Sequence, residues 1–207
     1  NILDKDMRLM NDRAASTDTG GKADAGDISR LNLNATYSPG SGPDNNTVFA
    51  YRTAAKILLD PMASRINIMT IPGIKDPNVT DHASDLTRDY GQAIYLMDIP
   101  AYDKTGTGTR LYSDSTAKPN VGNTADQFSG RAIDNNFVAT YFPDVSLLDE
   151  VNNNRVVSVP ASVVALGALA YNDAVSYPWF APAGFNRASL DRVRNTAVRL
   201  TFQMVGL

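Results

Sequence analysis

The chain has no cysteine and a single histidine, His82, among its 207 residues. Without cysteine there is no disulfide, no thiol nucleophile and no thiolate ligand for a metal. One histidine excludes any mechanism that needs two. Glutamate is almost missing as well: Glu150 stands alone against 21 aspartates. Aspartate favours caps and turns, whereas glutamate favours helix interiors. The acidic residues therefore belong mainly where elements begin and end. No apolar run approaches the roughly 18 residues of a membrane span. Nor is there an excess of positive charge: 19 Lys and Arg face 22 acidic residues, for a net charge of -3. That leaves no basic footprint for nucleic acid or an anionic membrane.

What is present is ordinary for a folded protein. Hydrophobic residues make up 43% and charged residues 20%, which argues against overall disorder. The length suffices for one full core with room for a smaller appendage. The chain opens at Asn1, with neither Met nor a charged-then-apolar leader. It reads as a processed or excised piece of a longer protein.

Residues 1–47 form a polar N-terminal segment rich in Asp, Gly and Asn. Asp18-Thr19-Gly20-Gly21 and Ser38-Pro39-Gly40-Ser41-Gly42-Pro43 are turn chemistry. A short helix is conceivable around Ile2, Leu3, Met7, Leu9 and Met10. The pattern changes at Asn46. Val48, Tyr51, Ala55, Leu58 and Leu59 recur at helical spacing, and Asp60-Pro61 stops the run. Arg65 to Ile71 reads as a buried strand ended by Pro72-Gly73. Asp76-Pro77 is a helix start, with Asp at the N-cap and Pro at the first helical position. Val79, Ala83, Leu86 and Tyr90 make its inner stripe, and Gly91 its C-terminal cap. Ala93 to Met97 is a second strand, ending at Asp98-Ile99-Pro100.

Helix and strand alternate over short links, which points to parallel pairing through crossovers. The strands are nearly continuous apolar runs, as expected where helices cover both faces. Residues 101–134 break the rhythm and read as a polar insertion or functional loop. Phe137 to Phe142 gives a third strand, Asn152-Asn153-Asn154 a turn, and Arg155-Val156-Val157 an extended segment. Pro160 to Ala170 predicts a central helix, because it is apolar nearly all round. Tyr177 to Phe185 reads as a rigid aromatic loop. Ala197 to Met204 alternates apolar and polar residues, as a half-exposed strand does. The fold class is α/β: a mainly parallel sheet flanked by helices, with long polar loops, over residues 48–207.

Several constellations could carry chemistry. Ser162, at the start of an apolar helix, could be a nucleophile with His82 as base and an aspartate to orient it. However, Val159-Pro160-Ala161-Ser162-Val163 lacks the small, Gly-containing surround of such serines, and His82 has no Gly-rich motif. Ser162 also suits the first turn of its helix, and His82 a helix surface. Asp4, Asp6 and Asp12, or Asp81, Asp85 and Asp89, could be carboxylate clusters for a metal. The second set shares one helical face, where Arg88 makes a solvated charged surface the simpler reading. No EF-hand spacing is present. Gly106-Thr107-Gly108-Thr109 lacks the Lys and the strand-to-helix context of a phosphate loop. Asn34-Ala35-Thr36, Asn45-Asn46-Thr47 and Asn78-Val79-Thr80 are formal glycosylation sequons. The Trp179 loop could serve a ligand or pack against the domain edge. No catalytic, cofactor-binding or metal-binding residue is assigned.

Four blocks resemble the tail sheath protein of contractile-tailed bacteriophages. Ile66-Asn67-Ile68-Met69-Thr70-Ile71-Pro72-Gly73-Ile74-Lys75-Asp76-Pro77 is similar to that family's strand ending in Pro-Gly-Ile and an Asp. Ala93-Ile94-Tyr95-Leu96-Met97-Asp98-Ile99-Pro100 is similar to its strand ending in Asp-x-Pro. Ala139-Thr140-Tyr141-Phe142-Pro143 is similar to its Tyr-Tyr-Pro strand end. Val159-Pro160-Ala161-Ser162, continuing through Gly167, Ala170 and Asp173 to Trp179-Phe180-Ala181-Pro182-Ala183-Gly184-Phe185-Asn186-Arg187, resembles its Pro-Pro-Ser helix and Trp-x-Ala-Pro-Ala loop. Ala161 stands where the second Pro is commoner. Residues 1–47 and 101–134 carry none of the resemblance.

The resemblance implies a subtilisin-like fold without catalytic machinery, no cofactor, and a structural role. Copies would stack as a helical sheath around the tail tube protein, bounded by baseplate and tail terminator proteins. Contraction would drive the tube through the host envelope. Such an open helix needs heterologous, non-closing contacts, and strand addition between neighbours suits them. The sheath would be assembled in the host cytoplasm and carried in the virion. The chain by itself is expected to stay monomeric. Two other readings stand beside this one. One is a subtilisin-like serine hydrolase using Ser162 and His82. The other is a binding module on a tail particle, with residues 101–134 as its contact surface.

Overall fold

The structure is a computed structural model that describes residues 46–103, 110–111, 118–151, 153–177 and 179–201. The expected N-terminal helix at residues 2–10 and the turns at 18–21 and 38–43 lie outside these residues. The described chain divides into two compact units. The first holds residues 46–67, 74–95 and 135–137; the second holds 68–73, 96–134 and 138–201.

The first unit is built on two packed helices, α1 (Asn46–Leu58) and α2 (Pro77–Tyr90). Val48, Ala55 and Leu59 are buried, as their helical spacing predicts, while Leu58 is half exposed. Arg52 Nε donates to the Asn78 carbonyl at 2.7 Å, which pins the two helices together. Helix α2 starts and stops where its sequence says it should. The Asp76 side chain accepts from Asn78 N–H at 2.8 Å, Pro77 occupies the first turn, and Gly91 closes the helix at φ 66°. That left-handed conformation favours glycine. The buried stripe is more polar than its pattern suggests. Thr80 and Thr87 are fully buried, and Leu86 is only half-buried. The threonine hydroxyls can be buried because each bonds back to its own helix, to Asp76 O at 3.1 Å and Ala83 O at 2.7 Å. Tyr90 then ties the helix end to the loop before the sheet: its hydroxyl donates to Ser64 O and accepts from Ile66 N–H.

In the second unit, β1 (Ile68–Thr70), β2 (Ile94–Asp98) and β5 (Val138–Tyr141) form a mostly parallel sheet in the order β1-β2-β5. Strand β2 begins in the first unit and ends in the second. Ile94 N–H bonds to Asn67 O, just before β1, and Tyr95 N–H to Phe137 O, just before β5. All three strands therefore start at the same end. The central strand is buried from Tyr95 to Asp98. Its neighbours are less covered than their apolar runs suggest. Strand β1 spans three residues with only Met69 buried, and β5 ends exposed at Thr140 and Tyr141.

The stretch 101–134 is not only loop. Strands β3 (Ala101–Tyr102) and β4 (Arg110–Leu111) pair antiparallel, and helix α3 (Val121–Ser129) follows. Helix α3 was hidden by its polar composition, because its stability is local and hydrogen-bonded. Asn120 caps it by accepting from Asn123 N–H at 2.9 Å. Thr124 donates to Asn120 O at 2.7 Å and accepts from Tyr102 N–H at 3.2 Å. Helix α3 is thereby fastened to β3.

A second three-stranded sheet, fully antiparallel, limits the expectation of a mainly parallel fold; the class is mixed α/β. Its order is β7-β6-β8, with β6 (Val145–Asp149), β7 (Arg155–Val159) and β8 (Val193–Thr196). Asn153 and Asn154 make the turn between β6 and β7 at φ 60° and 53°, a conformation asparagine tolerates. The expected strand at 197–204 is displaced. The strand is Val193–Thr196, and Ala197 N–H ends the pairing by bonding to Asp144 O at 2.8 Å. Residues 202–204 lie outside the described residues. Helix α4 (Ala161–Val175) begins where Pro160 predicts but runs five residues further. It is not central either: along it only Ala161, Ser162 and Asn172 are buried.

Candidate functional site: a buried carboxylate at three chain segments

The Asp98 carboxylate, at the end of β2, accepts three hydrogen bonds. Asp98 is 2% exposed. Its Oδ1 accepts from Ser162 N–H at 3.0 Å. Its Oδ2 accepts from the Ser162 hydroxyl at 2.7 Å and from Gly73 N–H at 3.1 Å. One side chain thus joins the central strand, the Pro72-Gly73 turn after β1, and the first turn of α4.

Each partner has a local reason to be there. Helix α4 starts after Pro160, which offers no side-chain cap. Its first N–H groups would be left without an acceptor, so Asp98 supplies the cap from 64 residues away. A carboxylate is well suited to this place, because the helix N-terminus is its positive end. Gly73 turns at φ 79°, a region that favours glycine, and this aims its N–H at Oδ2. A Cβ there would lie 3.7 Å from Pro160 Cγ, so turn and helix start lie close together.

The geometry bears on Ser162. Its hydroxyl is fully buried and donates to a carboxylate. A nucleophilic serine instead needs an open face towards substrate and a base that takes its proton. Ser162 thus lies in the first turn of α4 with both its N–H and its hydroxyl on Asp98. His82 lies on α2 in the first unit. Its pKa is held below the ordinary 6.5, first by desolvation and then by Arg52 and Lys56, with Asp85 acting in the opposite direction.

The other candidates resolve more simply. Asp85 is exposed and pairs with Arg88 at 3.1 Å, as a solvated helix face does. Among the described residues no three His, Asp or Glu side chains gather as metal ligands. In the sequon Asn78-Val79-Thr80 the threonine is fully buried and the Asn78 N–H is held by Asp76. Asp4, Asp6, Asp12, Gly106-Thr107-Gly108-Thr109, Asn34 and Asn45 lie outside the described residues. Within the described residues no helix is long and apolar enough to cross a membrane.

The aromatic loop is ordered by its own rings. Tyr177 stacks on Trp179 at 4.8 Å between centroids, Phe180 meets both edge-on, and Arg187 lies 5.3 Å over Phe180. Asn172 anchors the loop by donating from Nδ2 to Phe180 O at 3.0 Å. The rings do not pack into a core, since Trp179 is 74% exposed and Phe185 95%.

The Asp98 junction was only half visible in sequence. Asp98 could be placed at a strand end and Ser162 in a helix first turn. That the two bond is a tertiary fact. The readable signal was a helix opening on Pro160 with no capping side chain of its own.

The chain matches no known protein-family model and no curated protein.

Proposed function

We propose that this chain is a structural subunit of the contractile tail sheath of a bacteriophage. Copies polymerise around the tail tube, between baseplate and terminator, and contract to drive the tube through the host envelope. In this reading the mixed α/β scaffold is a subtilisin-like domain that works as a rigid building block rather than an enzyme.

One observation carries the reading beyond a list of similar segments. Three of the sequence blocks that resemble sheath proteins, those containing Gly73, Asp98 and Ser162, are bonded to one another at the Asp98 carboxylate. The resembling residues thus form one physical junction in the chain, and its chemistry is that of a brace. A subunit that transmits force through an open helical assembly needs such internal braces, because it must reorient without deforming.

The competing hydrolase reading is separated by a fluorophosphonate probe. No labelling is expected on the folded chain, because the Ser162 hydroxyl is buried against a carboxylate. Labelling that is lost in Ser162→Ala would favour the hydrolase and overturn the structural reading.

A further inference from the structure

The single histidine sits on the seam between the two helices of the first unit. Arg52 on α1 donates to the Asn78 carbonyl on α2 at 2.7 Å. One helical turn beyond Arg52 on α1 is Lys56, and one turn beyond Asn78 on α2 is His82. Residues four apart lie on one helix face, so the Arg52–Asn78 bond holds Arg52 one turn from His82, and both Arg52 and Lys56 of α1 act on His82 electrostatically. Among the described residues, the carboxylate acting on His82 in the other direction is Asp85 of its own helix. Asp85 is already paired with Arg88 at 3.1 Å. Among the described residues, Ser64, Ile66 and Asn135 also bond to α2 side chains or backbone, and none of these three titrates.

We propose that the α1–α2 seam is an acid-released clamp, in which protonation of His82 sets a third cation against Arg52 and Lys56 and loosens α1 from α2. The clamp is closed while His82 is neutral. The buried apolar residues of the two helices are mostly small, Val48 and Ala55 on α1 and Val79 and Ala83 on α2, so a charge added between the helices meets little opposing apolar burial. The sign follows from linkage. His82 in the closed clamp has a pKa below 6.5, and in the opened clamp it returns towards 6.5. The closed form then binds fewer protons. Its stability is complete above pH 6.5, falls as pH drops through 6.5, and stops falling below the closed-state pKa.

The test uses the full chain. Amide hydrogen exchange of α1, corrected for intrinsic rates, is compared at pH 7.5 and pH 5. Protection of α1 is expected to drop severalfold in the wild-type chain and to stay level in His82→Gln. In Lys56→Gln, an exposed replacement that leaves the fold intact, the His82 ring titration read by NMR should move up towards 6.5. An equal loss of α1 protection in wild type and His82→Gln would overturn the clamp. So would constant protection in both, or a His82 titration unmoved in Lys56→Gln.

Discussion

Replacing Asp98 with alanine is expected to destabilise the second unit by about 4 kcal/mol, read as a fall in the urea midpoint at unchanged slope. The size follows from what is left behind. Ser162 N–H, Ser162 Oγ and Gly73 N–H all donate to this one carboxylate. Each buried donor stranded without an acceptor costs about 1–3 kcal/mol; the two Ser162 donors are fully buried, whereas Gly73 is exposed and its N–H can turn to water. Asp98→Asn, with nearly the same shape, is expected to cost about 2 kcal/mol rather than nothing. An amide has one oxygen where the junction uses two. Wherever that oxygen points, an NH2 group faces at least one backbone N–H. The serine hydroxyl can turn round to accept, but a backbone N–H cannot. Ser162→Ala should be milder than either, because the Ser162 N–H and Gly73 N–H bonds survive. That order, Ala worse than Asn worse than the serine change, is the signature of a brace.

The second large effect is expected at Leu96, in the middle strand of the parallel sheet. Leu96 is 1% exposed and lies between Tyr95 and Met97, both fully buried. The strand itself is held between β1 and β5, which limits how far the backbone can shift towards a void. Leu96→Ala should therefore cost about 3 kcal/mol, combining lost transfer energy with a residual cavity. Two positions earlier, Ile94 is 48% exposed on the same strand. Ile94→Ala should cost less than about 1 kcal/mol in the same titration, since surface changes are small. Equal losses at the two positions would mean that the strand is not buried on both faces from Tyr95 onward.

What was legible in the sequence was legible for local reasons. Asp76-Pro77 and Gly91 mark the ends of α2 because capping depends on the residues at the cap and on the next turn. The asparagine turn at 153–154 is visible because few residues accept its backbone angles. The misplaced features depend on partners far away in sequence. Strand β6 needs β7 and β8 before Val145–Asp149 is recognisable as a strand. The strand at Val193–Thr196 is set by its pairing with β6, which continues into the bond of Ala197 N–H to Asp144 O and which no local pattern announces. Helix α4 looked central because apolar composition was read as burial. The described structure instead leaves Val163, Tyr171 and Val175 exposed. Composition reports which residues want cover, whereas the fold decides which of them receive it. The same holds for the site. Pro160 signals a helix without a cap, and only the fold reveals that Asp98 provides it.

Assembly tests most directly whether the chain is a force-bearing building block. The full-length product of the gene that encodes this chain should be expressed alone and examined by electron microscopy. The account predicts hollow, striated tubes of uniform width. It further predicts that Asp98→Ala, which removes the brace, abolishes or disorders them. A product that stays dispersed at every concentration and salt condition would contradict the account. So would tubes of unchanged order in Asp98→Ala.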